Sequence, residues 1–253
     1  MAQAETTMAN SAQGVTEGGV WLVIPTYNEA EGIAEIVADA RSYLPVPHQV
    51  LIVDDDSPDG TGRIADGMAA DSDDIRVIHR TTKEGLGPAY VAGFKVAIEA
   101  SAELIVQMDA DFSHNPADLP RLLAAAESAD VVLGSRYVLG GAIERWGRRR
   151  KAISRWGSRY ARAVLGVHIH DLTSGFKVWR RPALQAIDLD SVNSRGYAFQ
   201  VEMTYRAIEA GFEVVEVPIV FRDRRVGDSK MTRTIILEAA WRVPAMRMGG
   251  RSR

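Results

Sequence analysis

Four short runs of branched apolar residues dominate the first half of this chain: residues 20–25 (VWLVIP), 50–53 (VLIV), 75–79 (IRVIH) and 104–106 (LIV). Their length and β-branching predict buried strands, and the stretches between them carry apolar residues at helical spacing, as at Ile33, Ile36, Val37 and Ala40. Such a βαβαβαβ alternation predicts an α/β fold with a parallel, doubly wound sheet. Open sheets of this kind bind ligands beyond the carboxyl ends of their strands. The polar residues that follow each run are therefore where chemistry is expected.

The fourth run ends in Met108-Asp109-Ala110-Asp111-Phe112-Ser113-His114. Two carboxylates one residue apart at a strand end can hold a divalent cation, Mg²⁺ or Mn²⁺, that bridges the oxygens of a nucleotide diphosphate. Standing alone, Asp-x-Asp is common by chance and reads as a polar cap on a strand. The second run enters Asp54-Asp55-Asp56-Ser57-Pro58-Asp59-Gly60-Thr61, where three successive acids need compensating donors or cations. A nucleoside offers such donors. The first run leads into Thr26-Tyr27-Asn28-Glu29, and Gly85-Leu86-Gly87 opens a helix whose start suits a phosphate or a plain turn equally.

Further along, Leu119, Leu122 and Leu123 mark a helix, and residues 131–137 form a strand with Arg136 near its end. Residues 145–162 hold eight cations, among them Arg150, interleaved with Trp146, Ile153, Trp156 and Tyr160. That pattern is either a solvated helix face or an anion-binding surface beside a membrane, and the aromatics favour the second. A turn over residues 171–177 precedes the strand-like Val178-Trp179, residues 196–210 form a helix, and residues 212–220 a last strand. A loop mixing cations with glycine and serine follows to Lys230. His114, His168 and His170 read as loop or core residues, and Trp146, Trp156 and Trp241 as packing residues.

At 253 residues, 46% hydrophobic and 25% charged, the chain has enough apolar material for one sizeable core. A net charge of −3 weighs against nucleic acid as a partner. The absence of cysteine excludes disulfides, Cys-zinc sites and thiol catalysis. Nowhere is the sequence apolar and uncharged over the roughly 20 residues needed to cross a bilayer. The expected organisation is a flexible tail over 1–18, one domain over 19–231 and an amphipathic segment over 232–253.

Taken together, Pro25-Thr26-Tyr27-Asn28-Glu29, Asp54-Asp55 with Ser57, Gly85-Leu86-Gly87, Asp109-Ala110-Asp111-Phe112-Ser113-His114, Gly134-Ser135-Arg136-Tyr137, Thr173-Ser174-Gly175-Phe176 and Gly227-Asp228-Ser229-Lys230 resemble the family 2 glycosyltransferases of GT-A fold. Within them, the order of motifs resembles the polyprenol-phosphate (dolichol-phosphate) mannose synthases. The resemblance implies a Rossmann-like GT-A domain with an open, mostly parallel sheet. It implies transfer of mannose from GDP-mannose to a polyprenyl monophosphate with inversion. On the matching positions, Pro25, Tyr27, Glu29, Asp54 and Asp55 would cradle the nucleoside, with Ala110 and Arg224 also on the donor. Asp109, Asp111 and Ser113 would hold the metal. Asp111, Arg136 and Lys230 would act at the reacting centre, and Arg150 and Ser154 on the lipid phosphate.

An attacking phosphate monoester is already ionised near neutral pH, so positioning and charge neutralisation matter more than a general base. The acceptor lies in a bilayer, so the expectation is a peripheral enzyme at the cytoplasmic face, held by the basic helix, the C-terminal segment or a separate membrane-anchor protein. One rival within the family takes glucose from UDP-glucose to polyprenol phosphate or extends a polysaccharide. A rival of another class is a non-catalytic nucleotide-binding membrane scaffold, against which intact Asp109, Asp111, Arg136 and Lys230 count.

Overall fold

The structure is a computed structural model that describes residues 18–194, 196–223 and 241–248. In chain order its elements are β1 (Val20–Thr26), α1 (Ile33–Tyr43), β2 (His48–Asp54), α2 (Thr61–Asp71), β3 (Ile75–His79), α3 (Leu86–Glu99), β4 (Leu104–Gln107), α4 (Leu119–Ala125) and β5 (Val131–Ser135). There follow β6 (Ala142–Ile143), α5 (Arg148–Leu165), β7 (Lys177–Arg180), α6 (Arg181–Gln185), α7 (Gly196–Glu209), β8 (Val214–Pro218) and β9 (Val220–Phe221). Seven strands form one sheet in the order β3-β2-β1-β4-β7-β5-β8.

Successive side chains of a strand point to opposite faces, and β1 shows the consequence. Trp21 and Val23 enter a layer with Tyr90 and Phe94 of α3 and Phe199 of α7, while Leu22 and Ile24 enter one with Ile33, Ile36 and Val37 of α1. Both faces are covered, so the strands read as continuous apolar runs rather than alternating ones. Helix α3 lies especially close: a Cβ on Gly93 would sit 2.4 Å from Val23 Cγ1, so only glycine permits this approach.

Two features of the strand pairing matter for the site. Strand β7 is antiparallel to both β4 and β5, pairing Lys177 with Gln107 and Arg180 with Leu104. It runs backward because the turn before it sits at the carboxyl end of β4 and feeds the chain in from there. The strand expected over 212–220 is two: β8 pairs with β5 as far as Pro218, and β9 pairs with β6 in a separate ribbon. Ile219 is the hinge between them: its N–H still bonds to the Ser135 carbonyl at 2.9 Å, while its own carbonyl accepts from Ala142 N at 3.0 Å.

The topological switch lies between β1 and β4, since β2 and β3 extend from one side of β1 and β4 from the other. Residues 241–248 are helical, with Val243 buried in the same layer as Ala161 and Leu165 and Arg247 donating to the Val164 carbonyl. Trp146 packs as expected, but Trp156 and Trp241 are 66% and 63% exposed. Helix α5 buries Ser158, Ala161 and Leu165, and Trp156 lies on the opposite face. No helix among the described residues is long and apolar enough to cross a membrane.

Candidate active site

A cleft of about 280 Å³ opens over the carboxyl ends of β1, β2 and β4 and the start of β7. It gathers Pro25, Tyr27, Glu29 and Asp55 at one end, Asp109, Ala110, Asp111 and Ser113 along its floor, and Arg136 and Arg150 at the other end. Asp54 and Ser154 stand off its wall. Arg224 and Lys230 lie outside the described residues.

The turns that carry these side chains are held in uncommon backbone conformations. Asn28, Asp56 and Phe112, which follow β1, β2 and β4, have φ of 60°, 61° and 60°. Left-handed residues other than glycine cost free energy and tend to sit at functional sites. Asp54 helps fix these turns from below: its carboxylate accepts from Thr26 Oγ1 at 3.3 Å and Ser57 N at 3.3 Å. Asp55 points the other way and accepts from Gly85 N at 2.7 Å and from Arg80. It thereby pins the start of α3 to the Tyr27 end of the cleft, where Lys83 Nζ lies 3.5 Å from the Tyr27 ring centroid.

On the floor, Tyr90 donates its hydroxyl to Asp109 Oδ1 at 2.7 Å. Burial, reinforced by the charge of Asp109, raises the Tyr90 phenol well above its ordinary pKa, so it stays a donor that favours the ionised carboxylate. His114, 2% exposed and stacked on Phe176, accepts the Asp109 backbone N–H on Nδ1 at 3.3 Å. That bond uses Nδ1, so His114 supports the turn. Asp111 accepts Ser113 N at 3.0 Å through Oδ1.

No cluster of three or more His, Cys, Asp or Glu suited to a metal occurs among the described residues. Two carboxylates with nearby phosphate are nonetheless the donor set that Mg²⁺ or Mn²⁺ accepts, since such ions keep waters and take their remaining ligands from the substrate. Asp109 and Asp111 fit that role.

At the far end, Arg136 is 4% exposed and bidentate to Asp171, with Nε–Oδ2 and Nη2–Oδ1 both 2.7 Å, and Nη2 also reaches Thr173 Oγ1 at 2.7 Å. Burial opposes both charges, but each partner outweighs it: the Asp171 carboxyl is held below its ordinary pKa and the Arg136 guanidinium above its own. Arg136, expected at the reacting centre, lines the cleft with Nε and Nη2 paired to Asp171 and Thr173, so it also holds the 171–173 turn there. Arg150 stacks over Trp146 at 3.9 Å and donates through Nη1 to Asp223 at 2.9 Å. Its Nε is buried without a hydrogen-bond partner among the described residues. Ser154 accepts from the Tyr137 hydroxyl at 2.7 Å.

Sequence reasoning missed Lys83, Tyr90, Lys177 and Gln200. Lys177 is fully buried beneath the floor and donates to the Gln200 carbonyl and to Gln200 Oε1, both at 2.9 Å. Burial pushes its ammonium down to about 7, against the pull of Asp171 and Asp109. The available signal was a lysine inside the otherwise apolar run Phe176-Lys177-Val178-Trp179.

Comparison with known proteins agrees with this architecture. Over 232 residues the chain is 48% identical to polyprenol monophosphomannose synthase of Mycolicibacterium smegmatis, covering 91% of this chain and 87% of that protein. It is 49% identical over 220 residues to undecaprenyl-phosphate mannosyltransferase of Micrococcus luteus, covering 87% and 90%. Among solved structures, glucosyl-3-phosphoglycerate synthase from Mycobacterium tuberculosis, in complex with Mn²⁺, UDP-glucose and glycerol 3-phosphate, superposes with a TM-score of 0.64 at 17% identity over 92% of this chain and 79% of that one. The same protein with Mg²⁺ and UDP gives a TM-score of 0.66 at 19% identity over 89% and 79%. The model of glycosyl transferase family 2 matches residues 21–188, so the sheet, the acidic floor and the turns above it are those of a family 2 glycosyltransferase, the family to which this chain belongs.

Proposed function

We propose that the enzyme transfers mannose from GDP-mannose to the phosphate of a polyprenyl monophosphate, with inversion at the sugar carbon. The observation that carries this reading is near-full-length identity of 48% and 49% to two proteins named for polyprenyl-phosphate mannosyl transfer. A phosphate oxygen of the lipid forms the new bond to the anomeric carbon as the bond to the diphosphate oxygen breaks and GDP leaves. The attacking oxygen carries no proton to remove, so the cleft needs no general base.

Pro25, Tyr27, Glu29, Asp55 and Lys83 form the nucleoside end, with Asp54 setting the turns beneath. Asp109 and Asp111, with Ser113 and Ala110 beside them, would hold a divalent cation that offsets the leaving group's charge when bound. Arg150 receives the lipid phosphate, with Ser154 and Tyr137 ordering its helix; Arg136 stands at the reacting centre and also holds the 171–173 turn. Arg224 and Lys230 complete the set of cations. Incubation with radiolabelled GDP-mannose, Mg²⁺ and polyprenyl phosphate is expected to give a chloroform-soluble mannosyl lipid, with none from UDP-glucose and none in EDTA. Full activity in EDTA would remove the cation, and product from UDP-glucose alone would overturn the donor.

The outer face of α5 supports a peripheral position at the inner face of the membrane, alone or with a separate anchor protein. Ile153 and Trp156 are exposed there among Arg148, Arg149, Arg155 and Arg159. Apolar side chains ringed by cations suit an anionic lipid surface. Pelleting with anionic vesicles is expected at low salt, reduced by Trp156→Ala and lost at about 0.5 M salt, where charges are screened within a few ångströms. No pelleting at low salt would exclude direct contact.

A further inference from the structure

A chain of hydrogen bonds that starts from donor-only groups leads from the core to the cleft and ends in an unanswered donor. Trp179 Nε1 can only donate, and it does so to Gln107 Oε1 at 3.3 Å. That fixes the Gln107 amide, whose Nε2 donates to Gln200 Oε1 at 2.7 Å. Lys177, likewise a donor, reaches the same Oε1 at 2.9 Å. Two donors on one oxygen decide which way the Gln200 amide faces. Its Nε2 is left buried with no hydrogen-bond partner among the described residues, in a side chain only 2% exposed that forms part of the cleft wall.

Beside it, Gly175, Asp109 and His114 line the same corner of the cleft, which we call the nook. A methyl group built on Gly175 would sit 3.6 Å from Gln200 Nε2, 3.2 Å from Asp109 Oδ2 and 3.2 Å from His114 Cε1, and all four residues line the cleft. One side of this nook donates a hydrogen bond and the other, a carboxylate, accepts one. A phosphate oxygen accepts only and would be repelled by Asp109. A hydroxyl does both, accepting from Gln200 while donating to the Asp109 carboxylate.

We infer that the nook bounded by Gly175, Asp109, His114 and Gln200 receives one hydroxyl of the hexose on the nucleotide-sugar donor, with Gln200 as a specificity-determining contact. Lys177 and Gln107 are positioning residues for it. The inference rests on the donor reading above, and it explains why a lysine is buried under the floor: a second donor on Oε1 keeps the amide from turning over.

Calorimetric titration with Mn²⁺ and no acceptor tests it, using GDP, GDP-mannose and the monodeoxy GDP-mannoses. The wild type is expected to lose about 10- to 100-fold in affinity for one deoxy donor, the range for a buried polar group left unpaired. In Gln200→Glu, the carboxylate still accepts from Lys177 and Gln107, so the melting temperature should hold, but the donor to the nook is gone. Intact GDP-mannose should weaken about 10-fold or more, GDP should not, and the penalty for that one deoxygenation should shrink at least threefold. Gly175→Ala, which fills the nook, should abolish the penalty. Equal deoxy penalties in wild type and both variants would overturn the inference while leaving the donor reading intact. Wild-type protein that bound GDP-mannose no better than UDP-glucose would instead remove the donor reading, and this inference with it.

Discussion

Replacing Asp111 with asparagine is expected to lower mannosyl transfer by about 10²–10³-fold or more, the scale seen when a preorganised group facing developing transition-state charge is removed. Asparagine keeps the side chain's shape and an oxygen for the Ser113 N–H, which Asp111 holds at 3.0 Å. The turn that places Phe112 at a φ of 60° should therefore survive, and the loss reports on charge rather than on folding. Alanine would be the poorer test, because it removes that anchor too. Initial rates measured across a range of Mg²⁺ and Mn²⁺ concentrations check the result: a cation-binding role predicts that a higher metal concentration recovers part of the loss. Retention of more than about a tenth of wild-type activity at low metal would show that Asp111 is a strand cap and no more.

The same two carboxylates show how much of the site is legible in the amino-acid order alone. Strands β1, β2 and β4 carry continuous apolar runs because the sheet is covered on both faces there, and that burial is written in consecutive residues. The position of Asp109 and Asp111 follows at once, since β4 has to end where its apolar run ends. What the sequence could not resolve was direction. Three adjacent acids begin at the last residue of β2, and only the backbone decides that Asp54 turns under the cleft while Asp55 faces the start of α3. Nothing in the composition of residues 177–180 says that β7 runs backward; the reversal comes from where the preceding turn sits.

Partners far apart in the chain were equally hidden. Gln107 and Gln200 are 93 residues apart, and Arg136 meets Asp171 across 35. A motif can place Arg136 near phosphate, yet whether its fork is available depends on an acid in another segment. Trp156 illustrates the converse: helical spacing was visible, but the buried face of α5 is chosen by the small residues Ser158 and Ala161, which carry little signal of their own.

Loss of Asp171 should destabilise the protein strongly. The residue is fully buried, takes the Arg136 backbone N–H at 3.0 Å as well as its guanidinium, and receives Thr173 Oγ1 at 3.1 Å. Glu216, on β8, holds it in place by accepting the Asp171 N–H at 2.9 Å. Asp171→Ala would leave a buried guanidinium uncompensated, at a cost of about 3–5 kcal/mol. For a chain of this size that corresponds to a fall in Tm of roughly 6–20 °C. Adding Arg136→Met should return part of the loss, because the second change removes the orphaned charge; the two effects are in contact and should not add. The pH dependence has a definite sign. The folded-state pKa of Asp171 lies below its ordinary value of 3.8, so the folded state binds fewer protons than the unfolded one in the interval between them. Its stabilising contribution is complete above about pH 4 and is lost as pH falls through the folded-state value. Thermal melts of wild type and Asp171→Ala should therefore stay far apart from about pH 5 to 8 and converge only in stronger acid. Curves that already coincided at about pH 7 would mean that Arg136 finds another partner, and that the turn carrying Gly175 is not fixed by this pair.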